Sequence, residues 1–243
     1  SFLNMQSKVA PKMHNIISPS KSSKNDIQKY FHVDASKIHV IPNGIDTGVF
    51  KPNLVIPKIP FKLITTASAD VPLKGLDFTL RAIAIAKDKY PLINLVVIGK
   101  PRSGGHTERL ISKLGIDEFV SFKTNLTNQE VSDEYASSQI AIVSSLYEGF
   151  GFPVGEAMAC AVPLIATDVA SIPEITGPYA EMIAPESHED IFNSLDDIFQ
   201  NYDHYMKKAN LGRDHILQNF SWSVIANSYI DHISSILTSH ADI

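Results

Sequence analysis

The stretch "IAIVSSLYEGFGFPVGEAMACAVPLIAT" (140–167) decides the fold class of this 243-residue chain. Two short apolar runs, 140–145 and 162–167, flank a segment, 153–161, that is predicted to be helical. Apolar runs without polar alternation are typical of parallel strands buried on both faces, and neighbouring parallel strands require a helical crossover. The stretch therefore predicts a strand–loop–helix–strand unit, with Pro153 as the first helical residue and Glu156 in the first turn.

The same alternation extends on both sides of that unit. Further apolar runs predict strands, and the amphipathic segments between them predict helices. The predicted strands are 61–67, 93–99, 119–123 and 180–184; the predicted helices are 76–90, 107–115, 128–138 and 171–176, followed by helical segments from 187 to about 237 with a break at 219–223. This alternation indicates an α/β fold, a Rossmann-like parallel sheet with helices on both faces.

The first forty residues contain one predicted strand, 13–20, and one predicted helix, 22–31, with Ser23 and Asp26 as its capping box. A connector with four prolines, 40–60, follows them and contains a strong turn signal. One strand and one helix cannot form a core of their own. We therefore expect this segment either to pack on the rest of the chain or to be the tail of a preceding domain.

Composition limits the partners and the compartment. A formal net charge of −5 and a pI near 6.0 give no electrostatic footprint for nucleic acid, so no nucleic-acid partner is expected. The single cysteine, Cys160, excludes an intrachain disulfide and favours a reducing compartment. No apolar run reaches the roughly 18–20 residues of a membrane span, and the first residues lack a signal-peptide pattern. Together these features predict a cytoplasmic protein.

Candidate functional residues follow the predicted strand 140–145. Taken alone, Glu156 would be a carboxylate favoured by the helix dipole, and Glu148 would be a solvated loop residue. Gly149 and Gly151 change this interpretation, because they allow close approach of the backbone, and free N–H groups at a helix start suit an anion. Carboxylates beside an anion site would accept hydrogen bonds from hydroxyls, such as those of a ribose. This combination indicates a nucleotide-sugar site.

Two other loops lie at the same predicted edge of the sheet, where ligands bind in such folds. Lys74 follows the strand 61–67 and could meet a diphosphate as a compact positive charge. The loop 119–127 offers backbone groups and Leu126 to a base. Taken alone, each of these loops is better explained as structure than as a binding site.

Several chemistries are disfavoured by what the sequence lacks. No histidine pair has metal-ligand spacing, and no acidic cluster suits a cation. The motifs of P-loop nucleotidases, nicotinamide enzymes and serine hydrolases with a nucleophile elbow are absent. A glycosidase that uses Glu148 and Glu156 as its carboxylate pair stays open as an alternative. The glycine-rich helix start between the two glutamates favours a phosphate over a neutral glycoside.

Four segments resemble glycosyltransferase family 4. They are "VIPNGID…F" (40–50), "LKG" (73–75), "EGFGFPVGEAMACAVPLIAT" (148–167) and "IPEI" (172–175). The spacing from Glu148 to Glu156 is that family's signature, and the resemblance runs from about residue 14 to the final helices. Members are retaining enzymes of the GT-B fold, in which two Rossmann-like domains face each other across a cleft.

The resemblance implies that the chain is the C-terminal half of a GT-B glycosyltransferase. Residues 1–42 would be the tail of a missing N-terminal acceptor domain plus a hinge, 43–220 the nucleotide-sugar-binding domain, and 221–243 a C-terminal crossover helix. Such a chain would bind the donor and be inactive alone. The acceptor, a polysaccharide or lipid-linked glycan, would bind through the missing domain, and the full protein could then sit peripherally at the inner face of the membrane.

The resemblance also implies residue roles. Glu148 would be the catalytic residue nearest the transferred sugar, Glu156 would hold the ribose hydroxyls, and Lys74 would neutralise the diphosphate. Lys123 would meet the base through its backbone. The remaining donor-binding residues are expected to be Leu126, Gly149, Phe150, Gly151, Phe152 and Val154. No metal or other cofactor is required, and a uridine diphosphate hexose is expected as the donor because such donors are common in the family.

One position departs from the family pattern. An arginine usually stands five residues before the lysine, but this chain has Ala69 there. Arg102 could replace it if the segment 99–105 folds inward, which is a hypothesis. The departure also motivates a second interpretation, a non-catalytic module that keeps the nucleotide pocket without turnover.

Overall fold

A computed structural model describes residues 2–67 and 69–241 of the chain. In these residues, six parallel strands form the main sheet in the order β5-β4-β3-β6-β7-β8. The strands are β3 (Lys62–Thr66), β4 (Asn94–Ile98), β5 (Val120–Lys123), β6 (Ile140–Val143), β7 (Leu164–Thr167) and β8 (Glu181–Ile183). Renumbered from the first of these strands, the order is 3-2-1-4-5-6, which is the Rossmann order.

The crossovers between these strands are helical. They are α3 (Leu76–Lys89), α4 (His106–Leu114), α5 (Asn128–Ser137), α6 (Phe152–Ala159) and α7 (Ile172–Thr176), and the sheet is followed by α8 (His188–Gln200), α9 (Tyr202–Asn219) and α10 (Trp222–Ala241). The predicted strand and helix succession is thereby confirmed.

Both faces of the sheet are buried. Leu63, Ile140 and Ile142 belong to one apolar cluster, which also contains residues of α3, α4 and α8. The residues that alternate with them, Ile64 and Ala141 among others, belong to a second cluster with α6, α7 and Ile216 of α9. Successive side chains of a strand point to opposite faces, so each face carries its own core. This confirms the predicted Rossmann-like sheet with helices on both faces.

A second, two-stranded parallel sheet precedes the main one. It pairs β1 (Ile16–Ser18) with β2 (Ile38–Val40), and the crossover is α2 (Lys21–Phe31). A further helix, α1 (Phe2–Val9), comes before β1. Sequence reasoning predicted neither α1 nor β2; β2 has only three residues, too few for a periodicity to show.

The predicted capping box of α2 is wrong. The N-cap is Ser20, which has an extended backbone and whose side chain accepts a hydrogen bond from the Ser23 N–H at 3.0 Å. Asp26 instead accepts a hydrogen bond from the Tyr147 hydroxyl at 2.7 Å. The helix therefore starts at Lys21, and the side chains predicted to cap it contact another part of the chain.

The connector lies against the break between α9 and α10. The Ile45 N–H donates to the Phe220 carbonyl at 2.7 Å, and Ile45 forms an isolated parallel bridge with Ser221. Beyond the break, α10 reaches the two-stranded sheet, where the rings of His232 and His39 are 4.2 Å apart. The boundaries suggested for residues 1–42, 43–220 and 221–243 remain predictions.

In the described part of the chain, no helix is long and apolar enough to cross a membrane.

Candidate active site

The loops that follow β3 and β6 lie in direct contact at the carboxyl edge of the sheet. Gly75 has a positive φ of 63°, and a Cβ placed on it would lie 1.8 Å from the Ser144 carbonyl oxygen. The Leu146 N–H donates to the Leu73 carbonyl at 2.8 Å. Only a glycine permits this approach, and it places the preceding residue, Lys74, beside the β6–α6 loop (residues 144–151).

We expect Gly75→Ala to destabilise the protein by about 3 kcal/mol, because it adds a backbone clash to an unfavourable φ. Gly104→Ala is the matched control: Gly104 has the same φ of 63°, but nothing lies within 4 Å of its Cβ position. Its substitution should cost only about 1 kcal/mol. Urea denaturation measures both changes. Equal losses of stability in the two variants would show that the close approach to Ser144 contributes nothing.

Lys74 and Glu148 form an ion pair at the centre of this contact. The Lys74 Nζ lies 2.7 Å from Glu148 Oε1, and the Ser145 hydroxyl donates to the same oxygen at 2.8 Å. The Glu148 side chain is 11% exposed and that of Lys74 is 29% exposed. Among the described residues, none bonds to Glu148 Oε2, so this oxygen is available to accept a hydrogen bond from a ligand.

The carbonyls of residues 148–151, in the β6–α6 loop, all accept hydrogen bonds. The Ser171 N–H donates to the Glu148 carbonyl at 3.4 Å, and the Ser171 hydroxyl, 2.8 Å from that carbonyl and 2.7 Å from the Phe150 carbonyl, donates to one of the two at a time. The Gly149 carbonyl accepts from two serine hydroxyls of α2, and the Gly151 carbonyl accepts from amides of α6. These bonds fix the direction of each peptide plane in the loop.

The N–H groups at the end of this loop and at the start of α6 are a second feature of the site. Within residues 2–67 and 69–241, no acceptor is bonded to the amides of residues 149–152, although α6 begins at Phe152 without a side-chain cap. Unpartnered amides at a helix N-terminus attract an anion through their partial positive charge. The loop therefore presents an anion-binding group of amides next to the Lys74–Glu148 pair.

Glu156 lies deeper than the sequence suggested. Helix α6 starts at Phe152, so Pro153 is its second residue and Glu156 falls in its second turn. The predictions that Pro153 is the first helical residue and that Glu156 lies in the first turn are therefore wrong. Burial raises the pKa of Glu156 to about 7. No side chain or amide among the described residues donates a hydrogen bond to its carboxylate. A half-buried carboxylate without a donor is suited to accept hydroxyl groups from a ligand.

The loop that follows β5 offers a ligand backbone groups rather than the charge of Lys123. The Lys123 Nζ pairs with Glu134, which also pairs with Lys62 at 2.9 Å. The Lys123 carbonyl accepts from the Gly99 N–H at 3.0 Å and keeps its second lone pair. Leu126 is half-buried in the loop that follows β5. Any contact to a base here would be made by the backbone, as the resemblance implied for Lys123.

The apolar residues of the segment 148–167 differ in how far they are exposed to solvent. Phe152 is 45% exposed, and its ring lies 5.1 Å from that of Phe150, which is 5% exposed. Val154 has no exposed area, and its N–H donates to the Gly151 carbonyl. Phe152 can therefore reach a ligand, whereas Val154 is a core residue with neither side chain nor amide to offer.

Ala69, at the position where the family usually has an arginine, is a buried apolar residue. Ala69 is 8% exposed and packs in the apolar cluster with α3 and α4. Its neighbour Asp70 accepts hydrogen bonds from the Arg102 N–H at 2.8 Å and the Thr107 N–H at 2.9 Å. These bonds, with a contribution from the Arg102 charge, hold the pKa of Asp70 below its usual range. The loop with Arg102 is thus folded toward the β3–α3 loop, while the Arg102 side chain is exposed.

A Rossmann-like sheet whose carboxyl edge carries a lysine paired with a carboxylate, unpartnered amides and, in the helix that follows, a second carboxylate has the groups that suit an anionic, hydroxyl-bearing ligand. Residues 55–215 match the family of glycosyl transferases group 1, and residues 2–49 match Glycosyltransferase Family 4. The chain belongs to the group 1 glycosyl transferases, since that match covers more than half of it. The resemblance drawn from the four motif segments is confirmed.

Individual proteins agree with the family. The chain is 32% identical to an MMP alpha-(1->4)-mannosyltransferase of Mycolicibacterium hassiacum over 228 residues, which is 93% of this chain and 55% of that relative. It also resembles sucrose-phosphate synthase from Thermosynechococcus elongatus, with a TM-score of 0.83, 21% identity and coverage of 98% of this chain and 62% of that one. For HepE of Anabaena with UDP and glucose, the TM-score is 0.85, the identity 19% and the coverage 96% and 66%. These two structures establish the GT-B type of fold.

The chain spans 55% of the length of the mannosyltransferase that it matches. In the described residues, no group of three or more His, Cys, Asp or Glu is placed to hold a metal ion. Metal-independent chemistry stays an expectation.

Proposed function

We propose that this chain is the donor-binding part of a retaining glycosyltransferase, which transfers a hexose from a nucleoside diphosphate sugar to a polysaccharide or lipid-linked glycan. The observation that carries the proposal is the β6–α6 loop, where free amides of residues 149–152 lie beside Lys74 and Glu148. Amides and an ammonium group suit a diphosphate, and the adjacent carboxylates suit the hydroxyls of two sugar rings.

In this proposal, Lys74 and the amides bind the diphosphate and stabilise the negative charge that develops on the departing nucleotide. Glu148 keeps Oε1 on Lys74 and Ser145 and uses Oε2 to accept a hydroxyl of the transferred sugar. This division explains why an ion pair and a substrate contact can coexist on one carboxylate. Phe152 would pack against the ligand, and the Lys123 backbone and Leu126 would hold the base.

Glu156 takes the ribose hydroxyls in the proposal. Its raised pKa of about 7 reflects desolvation without a compensating donor. Two ribose hydroxyls would supply the missing hydrogen bonds to the charged form. Ligand binding would then lower the pKa of this group and release a proton.

The wider assignment rests on the family. Residues 43–220 would be the donor domain, residues 1–42 and 221–243 would connect it to an acceptor domain, and the chain alone would transfer sugar poorly. A uridine diphosphate hexose is the expected donor. The acceptor would bring the full protein to the inner face of the membrane from the cytoplasm, and no metal would take part.

A second candidate is a nucleotide-sugar-binding module without turnover. It is favoured by Ala69, because the phosphates would lack the forked charge of an arginine in the transition state. Donor hydrolysis or transfer by the full-length protein separates this candidate from the first. A glycosidase is disfavoured, because Glu148 is paired with Lys74 at 2.7 Å and the free amides beside it suit a phosphate better than a neutral glycoside.

A thermal-shift panel tests the binding function. The panel contains UDP, UDP-glucose, GDP, GDP-mannose, ADP and free glucose, and the mannose donor is included because one relative is named a mannosyltransferase. Stabilisation follows the ratio of free ligand to Kd, so the preferred base should give the largest shift. We expect UDP and UDP-glucose to stabilise and free glucose not to. Stabilisation by free sugar alone would favour the glycosidase.

The affinity for UDP-glucose should depend on pH through Glu156. Below pH 7 the free protein carries a proton on this group, which must leave before the hydroxyls can bind to the carboxylate. We expect a constant affinity above about pH 8 and a loss of up to about tenfold per pH unit below pH 7. Calorimetry between pH 5.5 and 8.5 measures this slope. Glu156→Gln is the control and should bind weakly with no such slope; an equal slope in the variant would assign the proton elsewhere.

A further inference from the structure

We infer that Ser23 and Ser20, at the start of α2, are positioning residues for donor-sugar binding, because they orient the β6–α6 loop from the N-terminal side. The inference rests on the proposed function and extends it to residues outside the family motifs. Both hydroxyls donate to the carbonyl oxygen of Gly149, at 2.9 Å from Ser23 and 2.8 Å from Ser20. Gly149 directly follows Glu148.

Ser20 is buried in this contact and makes two hydrogen bonds there. Ser20 is 3% exposed, and its hydroxyl both accepts from the Ser23 N–H at 3.0 Å and donates to Gly149. A hydroxyl offers one donor, so this side chain commits that donor to the loop while it caps α2. The serines lie 129 and 126 residues before Gly149 in the sequence.

Further hydrogen bonds join α2 to α7 and to the β6–α6 loop. The Glu174 carboxylate, from α7, accepts the N–H groups of Lys21 and Ser22 at 2.8 Å each. The Tyr147 hydroxyl donates to Asp26 at 2.7 Å. At the start of α2, two free amides are thus bound by α7, and the hydroxyls of Ser20 and Ser23 are bound to the loop.

Holding a carbonyl of the loop also sets the direction of the N–H group in the same peptide. In a trans peptide the carbonyl and the N–H point in opposite directions. Because α2 holds the Gly149 carbonyl, the N–H of Phe150 is turned away from α2. Ser171 holds the preceding carbonyl, that of Glu148, and so sets the N–H of Gly149. Two successive amides of the anion-binding group are therefore oriented by side chains from distant segments.

The effect should concern the sugar more than the nucleotide. The contacts of α2 to the loop fall on Tyr147 and Gly149, which flank Glu148. In the described residues, no hydrogen bond joins α2 to Lys74 or Glu156, the groups assigned to the diphosphate and the ribose. Releasing α2 should therefore weaken the phosphate contact of the Phe150 amide for both ligands and, for UDP-glucose alone, also the sugar contact of Glu148, while the contacts of Lys74 and Glu156 stay in place.

Calorimetry of the 243-residue chain with UDP and with UDP-glucose tests this. Ser23→Ala is the primary variant, since Ser23 does not cap α2 with its side chain, whereas Ser20→Ala also removes the N-cap. We expect Ser23→Ala to bind UDP about threefold more weakly than wild type, through the displaced amide, and UDP-glucose about tenfold more weakly, through the amide and Glu148 together. Ser23→Thr keeps a hydroxyl and should restore the affinity. Ser22→Ala is the matched control, because Ser22 joins the contact through its N–H and not its hydroxyl.

Amide hydrogen exchange of the unliganded proteins gives a second readout. Ser23→Ala should exchange faster than wild type and Ser22→Ala at Leu146, whose N–H donates to the Leu73 carbonyl in the same loop. An unchanged UDP-glucose affinity in Ser23→Ala, or equal losses for both ligands, would overturn the positioning role while leaving the proposed function intact. Failure of wild type to bind either nucleotide would overturn the proposed function, and the sugar-positioning role with it.

Discussion

Lys74→Ala is expected to weaken UDP binding by about 100-fold, the largest loss for any single substitution in the site. The variant loses a charge-assisted contact to the diphosphate, which is worth about 2–3 kcal/mol. It also leaves Glu148, 2.7 Å away in the native protein, as an unneutralised carboxylate that repels the phosphates. Calorimetry with UDP measures the loss.

Two further variants make the Lys74 result specific. Lys113→Ala removes an exposed lysine of α4 and should leave the affinity unchanged. Lys74→Ala combined with Glu148→Gln removes both charges and should regain part of the affinity, because the repulsion is gone. If Lys74→Ala binds UDP within twofold of wild type, the diphosphate does not bind at this edge of the sheet.

Glu156→Gln is expected to have opposite effects on binding and on stability. Binding of UDP should weaken by at least tenfold, since an amide cannot accept both ribose hydroxyls as a carboxylate does. Stability should rise at alkaline pH. The pKa of Glu156 is about 7 in the folded protein against a reference of 4.5, so the folded state favours the protonated form.

The sign of this stability effect follows from linkage. A carboxyl whose folded pKa is raised contributes stability that is present below its unfolded pKa and lost as pH rises through its folded pKa. Wild type and Glu156→Gln should therefore have similar Tm values at pH 4 to 5. Above pH 7 the variant should have the higher Tm. Glu118→Gln, at an exposed position, should change neither Tm nor affinity.

A residue whose removal stabilises the fold and impairs binding is typical of a functional site. Two results would contradict this role for Glu156. One is a lower Tm of Glu156→Gln at pH 8, which would mean that the carboxylate is a structural partner. The other is unchanged UDP affinity, which would place the ribose elsewhere.

Local patterns predicted much of the fold because its strands are buried on both faces. Runs such as 140–145 carry no polar alternation, and this property alone excludes an open antiparallel sheet. The three loops with candidate residues could be found for the same reason, since carboxyl ends of parallel strands meet at one edge. Helix α1 and strand β2 were missed, because neither has a periodicity long enough to distinguish it from a connector.

The local environment of single residues was harder to predict. A shift of the helix start to Phe152 placed Glu156 in the second turn, where burial and not the helix dipole governs its pKa. Val154 belongs to the motif, yet it is fully buried. Ser23 and Asp26 have the spacing of a capping box, but they bond to Gly149 and Tyr147. In each case, contacts with distant segments outweighed a local preference.

The sequence by itself determined the α/β class and the family, and it predicted Lys74, Glu148 and Glu156 as candidate site residues, because hydrophobic periodicity and motif spacing are local properties. Only the tertiary structure decided that Lys74 pairs with Glu148, that the loop amides stay free, and that α2 and Ser171 hold the loop carbonyls. These contacts join residues 74, 126 and 23 positions apart, or more. No local pattern encodes such a pairing, since it depends on which strand ends the sheet order brings together.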